Sequence, residues 1–441
     1  MNRFLYYLTF ILVVTFGSWH RAACQTPLPR AMFEHLQTAQ HPQLDLSSPL
    51  TLERVLARFL ERNLAVEAAR YRVESARADQ IAARLRPIPS VTVTAENLKV
   101  AGSSPFTVPF NRLYEVGPTY SQPIELGGKR RLRMEVADLS VSRAEAQLAD
   151  VLRQRLAEIK RAYYEAVLAR QSLDLVLEQR RYFDDLVQFN QVRFEEGATS
   201  GSELLKAKLE RVKFVTAVTQ AQLNERQAGI KLLELLGETD LETPVRVSGV
   251  LRSEPIVVDL ASLKQKALSN RPDVQASERN ATLAERRIAL EKARGVPDIT
   301  PFAGYKRVGV DNTMLFGLTI PLRISNRNQA EIARAVADQK VAETEVAMAR
   351  NRVLAEVESA YRGYQAARVQ VEIFQRELLT QADESREMVQ FAYREGATDM
   401  LPLLEAQRTR ADIHHQYLRT LFDYQNSILL LEAAIGGEIK P

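Results

Sequence analysis

The chain is poor in the residues that staple, break or crowd a fold. It holds one cysteine, Cys24, so no disulfide can form within it. Glycine and proline number 18 each in 441 residues, which argues for long uninterrupted elements. Phe, Trp and Tyr together make up 7%, low for a large globular core, and the one tryptophan, Trp19, lies near the N-terminus. Neither sign of charge dominates: 59 Lys and Arg against 55 Asp and Glu leave +4, the balance of neither a disordered tail nor a strong nucleic-acid binder. Beyond Phe16, no run reaches the roughly 18 consecutive apolar residues that a transmembrane helix needs. No nucleophile–base constellation, paired-carboxylate pocket or phosphate loop can be picked out, so no enzyme and no cofactor are expected.

What is present begins with a targeting segment. Arg3 precedes the apolar stretch Phe4–Phe16, and small residues follow at Ala22 and Ala23. Residues 1–23 are read as a signal peptide and 24–50 as an N-terminal linker. "RAAC" partly matches a bacterial lipobox ending at Cys24, with Arg21 standing where that motif has an aliphatic residue. Lipidation of Cys24 and ordinary cleavage beside it both remain open.

The body of the chain is a repeat. "FEEGATSGSELLKA" (Phe194–Ala207) and "YREGATDMLPLLEA" (Tyr393–Ala406) match at an offset of 199 (396 − 197), and Gly237 meets Gly436 at the same offset. Upstream, Ile159–Arg170 matches Val357–Arg368 at an offset of 198. "SQPIEL" (Ser121–Leu126) matches "TIPLRI" (Thr319–Ile324) through Pro123 and Pro321. Two structural units, 51–240 and 258–437, are therefore expected, joined by a linker at 241–257.

Each unit alternates two periodicities. Thr51–Arg86 and Ser262–Arg294 read as helices, and Lys129–Glu196 and Arg327–Glu395 as very long ones. Val353, Val357, Ala360, Tyr364, Ala367, Val371, Phe374 and Leu378 keep 4-3 spacing without a break, a coiled-coil seam. Gly-Ala-Thr then turns the chain: Gly ends one helix, and Thr or the following Ser or Asp can cap the next. A helix of some 65 residues would be about 100 Å long, which suits a protein that crosses a wide space.

Between the helices lie paired β-like stretches, about 90–98 with 112–126 and about 298–308 with 312–322. Tyr114, Val116, Pro118 and Tyr120 fall on one face, with Glu115, Gly117, Thr119 and Ser121 opposite. Met314, Phe316, Leu318, Ile320 and Leu322 likewise share a face. Strands of about ten residues with one apolar and one small or polar face match a membrane β-barrel. Four strands cannot close a barrel that spans a bilayer, so several chains must contribute. Tyr114, Tyr120, Phe302, Tyr305 and Phe316 are the residues available for an aromatic girdle.

Over nearly all of the mature chain, these features resemble the TolC-type outer-membrane efflux channels of Gram-negative bacteria. The duplicated turn carries the resemblance, with the strand-to-helix junctions "VGPTYSQPIELGGKR" (Val116–Arg130) and "FGLTIPLRISNRN" (Phe316–Asn328). "QPIELGGKR" looks most like the heavy-metal, CzcC-like subgroup. The resemblance implies a mainly α fold with a small β-barrel part. It implies a homotrimer with a twelve-strand barrel in the outer membrane and a twelve-helix tunnel through the periplasm. It further implies a passive conduit that docks on a periplasmic adaptor and an inner-membrane resistance-nodulation-division pump, with heavy-metal cations as cargo. The alternatives are a channel of the same fold for multiple drugs or other organic compounds, and a periplasmic coiled-coil adaptor or scaffold. An adaptor would carry one helical hairpin flanked by β-rich segments.

By the same resemblance, Gly197, Ala198, Thr199, Gly396, Ala397 and Thr398 form the periplasmic tips that meet the adaptor, although Gly-Ala-Thr is also simply a good helix stop. Asp399 and Glu405 are candidates for a tunnel gate, in which three symmetry-related carboxylates would ring the entrance. Pro402 departs from the acidic residue of well-known members, and Glu405 read alone is a solvated helix charge. Pro123, Gly127, Gly128, Lys129, Arg130, Pro321 and Arg327 mark the barrel–helix junctions. The four basic residues of "GGKRRLR" (Gly127–Arg133) stand at a helix start, where the dipole disfavours cations. They are read either as contacts to outer-membrane lipid phosphates or as a solvated cluster. The phrase lacks the spacing of a nucleotide-binding loop. His414 and His415 are adjacent and face different sides of a helix, and no metal site is expected.

Overall fold

The computed structural model describes residues 48–96 and 115–439. The expected signal peptide, Cys24, nearly all of the N-terminal linker and Tyr114 lie outside the described residues. One series of elements occurs twice. Helices α1 (Leu52–Arg62) and α2 (Leu64–Arg84), strands β1 (Ser90–Glu96) and β2 (Glu115–Ser121), and helices α3 (Lys129–Glu195) and α4 (Gly201–Leu235) form the first series. Helices α5 (Leu260–Asn270) and α6 (Pro272–Arg294), strands β3 (Thr300–Val308) and β4 (Asp311–Thr319), helix α7 (Gln329–Ile373), a π-helical turn (Phe374–Leu378), and helices α8 (Leu379–Arg394) and α9 (Met400–Ile435) form the second. Helix α3 alone has 67 residues, about 100 Å of rise.

Three helices expected to be continuous are interrupted, each for a local reason. The first breaks at Asn63, whose side-chain oxygen accepts the Ala65 and Val66 N–H groups at 3.1 Å and so starts a new helix. The second breaks at Arg271, held extended (ψ 123°) because the following residue is Pro272. Both break residues are buried and tie to the end of a long helix. Asn63 donates to the Leu235 carbonyl at 2.9 Å, and Arg271 to the Ala434 carbonyl at 3.2 Å.

The third interruption falls in the seam. Val353, Val357, Tyr364, Ala367 and Val371 are buried as the 4-3 spacing predicts. At Phe374, however, the hydrogen bonding lengthens by one residue, and the Leu379 N–H reaches the Phe374 carbonyl. The repeat offset is 198 upstream (357 − 159) and 199 at the tips (396 − 197), so the second unit holds one extra residue here. A π turn takes up that residue without rotating the rest of the helix by a full residue step. Tyr417 packs beside it, with its ring 6.1 Å from Phe374 and its hydroxyl accepting from Gln375 at 3.1 Å.

The strands form one antiparallel sheet in the order β1-β2-β3-β4. Cross-strand register pairs Val91 with Tyr120, Tyr120 with Ala303, and Ala303 with Phe316. One face therefore carries Val91, Val93, Val116, Tyr120, Tyr305, Met314, Phe316 and Leu318, all exposed. The opposite face carries Thr92, Thr94, Gly117, Thr119 and Thr313, with Lys306 paired to Glu96 at 3.3 Å and also to Glu115. Phe302 belongs to this second face rather than to an aromatic girdle on the first, because it pairs with Gly317 and its ring covers that glycine. Gly117 has the same kind of reason: a Cβ there would stand 1.9 Å from the Tyr305 carbonyl oxygen. Among the described residues no helix is long and apolar enough to cross a membrane.

Candidate functional site

Two places gather the residues singled out in the sequence: the turns between long helices, and the junctions where strands become helices.

The two turns are built alike. Gly197 and Gly396 adopt φ of 74° and 75°, a left-handed conformation that costs glycine little. In the first turn the Gly197 N–H donates to Phe194 O at 3.1 Å and the Ala198 N–H to Arg193 O at 2.7 Å. In the second, Gly396 donates to Tyr393 O at 3.1 Å and Ala397 to Ala392 O at 2.8 Å. These paired bonds satisfy the last carbonyls of the incoming helix. The outgoing helices start differently. The Ser200 hydroxyl oxygen accepts the Glu203 N–H at 3.2 Å, and Thr199 donates to the Glu203 carboxylate. Asp399 occupies the equivalent N-cap of α9, but its side chain makes no cap bond. The expected capping thus holds for Ser200 and fails for Asp399, which leaves an exposed carboxylate beside Thr398. Glu405 is also exposed on α9. Six residues separate the two, about 120° around the helix, so they do not share one face.

Behind the turns the two hairpins pack on each other through residues that pattern reading missed. Phe183, Leu186, Val187 and Ala207 form one buried cluster with Tyr393, Met400, Leu403 and Leu404. The Tyr393 hydroxyl donates to the side-chain oxygen of the fully buried Asn190, and the Asn190 amide donates to Leu186 O at 2.9 Å. The Arg193 guanidinium lies 5.6 Å from the Phe189 ring centre and 5.5 Å from that of Tyr393. Deeper in, Glu210 of α4 is ion-paired with Lys213 at 2.7 Å and with Arg408 of α9. Burial works to raise the Glu210 carboxyl, but Lys213 and Arg408 hold it below its usual range. Asp383 of α8 accepts from Arg410 at 2.6 Å and meets His414 at 3.2 Å. His415 turns away toward Leu168 and Ser172, where burial lowers its pKa. Among the described residues no group of three or more His, Cys, Asp and Glu is placed to hold a metal ion.

At the first junction Gly127 and Gly128 both adopt φ of 70°, and α3 starts at Lys129. Pro123 precedes the bridge in which Ile124 and Ile299 exchange backbone hydrogen bonds of 2.8 and 3.2 Å. Most of the basic cluster faces inward. Lys129 is buried and pairs with Asp298 at 2.6 Å. Arg130 donates to Arg84 O at 2.9 Å, and Arg133 to Ala83 O and Leu85 O at 3.2 and 3.1 Å. Arg133 also holds Glu125 at 2.6 Å. These side chains sit at the start of α3 because they cover the carbonyl end of α2, where positive charge is favoured. Only Arg131 extends outward, paired with Glu135 at 2.8 Å. Burial pushes the Asp298 carboxyl upward, but Lys129 and the Leu126 N–H outweigh it and hold the group below the usual carboxylate range. At the second junction Arg327 is exposed, as is Pro321, and the work falls to Asn328. Asn328 is the one non-glycine residue with positive φ, 68°, among the described residues, and it donates to Glu291 O at 2.9 Å. It is the counterpart of Gly128, and asparagine tolerates this conformation well.

Comparisons with known proteins agree with this architecture. Residues 55–238 and 263–437 match the family described as Outer membrane efflux protein. The chain is 24% identical over 396 residues to the cobalt-zinc-cadmium resistance protein CzcC of Cupriavidus metallidurans, covering 89% of this chain and 91% of that one. It is 27% identical over 299 residues to the nickel and cobalt resistance protein CnrC of the same organism, covering 66% and 68%. The crystal structure of the Campylobacter jejuni CmeC outer membrane channel superposes with a TM-score of 0.74 at 17% identity, over 88% of this chain and 85% of that one. With both halves of the chain matched, it belongs to the outer membrane efflux protein family.

Proposed function

We propose that three copies of the chain close head to tail into a passive conduit. The observation that carries this is the sheet. It has an apolar exposed face, a polar opposite face and two edge strands, β1 and β4, with no partner among the described residues. Open edges are not tolerated in lipid, and a head-to-tail contact that closes makes a ring. Each chain would add four strands to a twelve-strand barrel.

The helices support the same closure. Helix α3 packs on α4 and on α9, and α9 packs on α7 and α8. On α4, Leu205, Leu209, Val212 and Leu223 are exposed at heptad-type spacing, with Thr216 and Thr219 continuing the stripe. On α8, Met388 and Phe391 are each 67% exposed. In a ring, these two flanks meet those of neighbouring copies and complete a twelve-helix tunnel. The two units, 51–240 and 258–437 with the linker 241–257, then occupy alternating positions around it.

In this reading Gly197, Ala198, Thr199, Gly396, Ala397 and Thr398 are the six-fold set of tips that a periplasmic adaptor meets, with a resistance-nodulation-division pump in the inner membrane behind it. Asp399 and Glu405 project negative charge near the entrance. The chain performs no catalysis. The proposed cargo is heavy-metal cations, supported by the full-length similarity to CzcC and the shorter one to CnrC.

The test is deletion of the gene, followed by growth across cobalt, zinc, cadmium, copper and silver salts beside a panel of dyes and antibiotics. Sensitivity confined to metals is expected. Sensitivity to organic compounds alone would overturn the cargo and leave the channel standing. Failure of the protein to fractionate with the outer membrane as a detergent-stable trimer would overturn the architecture.

A further inference from the structure

We infer that the cavity between the two strand–helix junctions binds a phosphate-bearing anion, supplied by an anionic phospholipid headgroup. The inference rests on the membrane reading given above.

The cavity has a volume of about 370 Å³, and its walls include Glu125, Lys129, Arg133, Arg294, Asp298 and Arg323. Four cations thus face two carboxylates, and both carboxylates are already engaged from within the protein. Asp298 accepts from Lys129 at 2.6 Å and from the Leu126 N–H at 3.0 Å. Glu125 accepts from both terminal nitrogens of Arg133, at 2.6 and 3.1 Å. Arg294 pairs with Glu291 on its own helix at 2.6 Å, yet its side chain is 54% exposed. Arg323 makes no direct ion pair among the described residues and acts on Asp298 only at longer range, helping Lys129 to hold that carboxyl down. Its guanidinium is the surplus charge of the cavity, and a planar fork of donors matches phosphate oxygens.

What surrounds Arg323 selects the source of the phosphate. Its neighbours in the chain, Leu322 and Ile324, are 81% and 82% exposed. A guanidinium flanked by two bare aliphatic side chains fits a headgroup with acyl chains beside it; a free anion has no use for them. The position agrees. Arg323 lies four residues beyond the end of β4, and Asp298 two residues before the start of β3, so the cavity sits where the apolar band of the sheet ends. In a barrel with its helices in the periplasm, that is the headgroup level of the inner leaflet, where cations meet anionic lipid.

The experiment compares wild type with Arg323→Gln and with the double variant Arg323→Gln/Arg294→Gln. Each is placed in nanodiscs of phosphatidylcholine alone or with added phosphatidylglycerol, and in detergent with millimolar inorganic phosphate. A ligand that binds only the folded state raises the melting temperature. Wild type is expected to melt a few degrees higher with phosphatidylglycerol, Arg323→Gln to lose most of that rise and the double variant all of it. Inorganic phosphate should give no comparable rise. An equal rise in wild type and the double variant would overturn the site. A full rise with phosphate alone would assign the cavity to a free anion and overturn the lipid source. Outer-membrane fractionation and trimer formation of the same samples separate the two ideas, since either result with an intact outer-membrane trimer removes this inference and leaves the channel reading in place.

Discussion

The Tyr393 hydroxyl donates to the side-chain oxygen of Asn190, so the last turn of the second hairpin's incoming helix is fastened to the first hairpin beneath its own tip. Asn190 is fully buried and its amide is spent on the Leu186 carbonyl. Tyr393→Phe therefore leaves a buried acceptor with no partner. The expected cost is about 1–3 kcal/mol in urea unfolding, and Asn190→Leu combined with Tyr393→Phe should recover part of it because both polar ends are then gone. Equal losses in the single and double variants would show that the bond is not what joins the hairpins.

The tip glycines make a second prediction. No heavy atom lies within 4 Å of where a Cβ would stand at Gly197 or Gly396, so the penalty of a side chain there is purely one of backbone conformation. Gly→Ala at either turn should cost about 1–2 kcal/mol, the strain of a left-handed L-residue. Gly→Asn should cost less, as Asn328 illustrates at the junction with φ of 68°. Thermal unfolding of the four variants checks the order. Alanine and asparagine behaving alike would mean that the turns relax rather than strain.

The parts that were readable in the sequence are those set by short-range rules. The faces of β2 and β4 followed from alternation, the turns between the long helices from glycine followed by a helix-starting residue, and the seam from 4-3 spacing. What was hidden depends on partners far along the chain. Lys129 is explained by Asp298, 169 residues away, and Arg133 by carbonyls about 50 residues upstream. No local pattern announces either, so four cations at a helix start looked anomalous until the end of α2 was placed beside them. Asn328 was missed because a left-handed asparagine leaves a weaker mark than its glycine counterpart, Gly128. The break at Arg271 was not read, although the residue before a proline resists the helix, because the apolar periodicity on both sides masked it.

The π turn gives a prediction in chain length. If Phe374–Leu378 houses the one residue by which the repeat offsets differ, deleting Arg376 should restore a plain α-helix and keep the tips level. The seam from Val353 to Val371 and the tip cluster around Tyr393 would stay in phase. Deleting Arg362, in the middle of the buried seam, should instead rotate everything beyond it by about 100° and expose the apolar stripe. Detergent-stable trimer and growth on metal salts are the readouts. The first deletion should be tolerated and the second should not; the reverse order would separate the π turn from the offset.

Glu210 supplies a prediction in pH. Burial alone would raise its carboxyl, but Lys213 and Arg408 dominate and depress it from an ordinary value of 4.5. A depressed value in the folded state means that the group's contribution to stability is complete above 4.5 and is lost as pH falls through the lower folded-state value. Glu210→Gln should cost about 1–3 kcal/mol at neutral pH, because Arg408 of the second hairpin then faces a neutral amide across the boundary between the hairpins. As the pH drops below 4.5 and through the lower folded-state value, wild type should lose this advantage while the variant does not, so the two unfolding curves converge. Urea midpoints of both proteins across that range decide it. A gap that stays constant down to low pH would show that the ion pair between α4 and α9 contributes no pH-dependent stability.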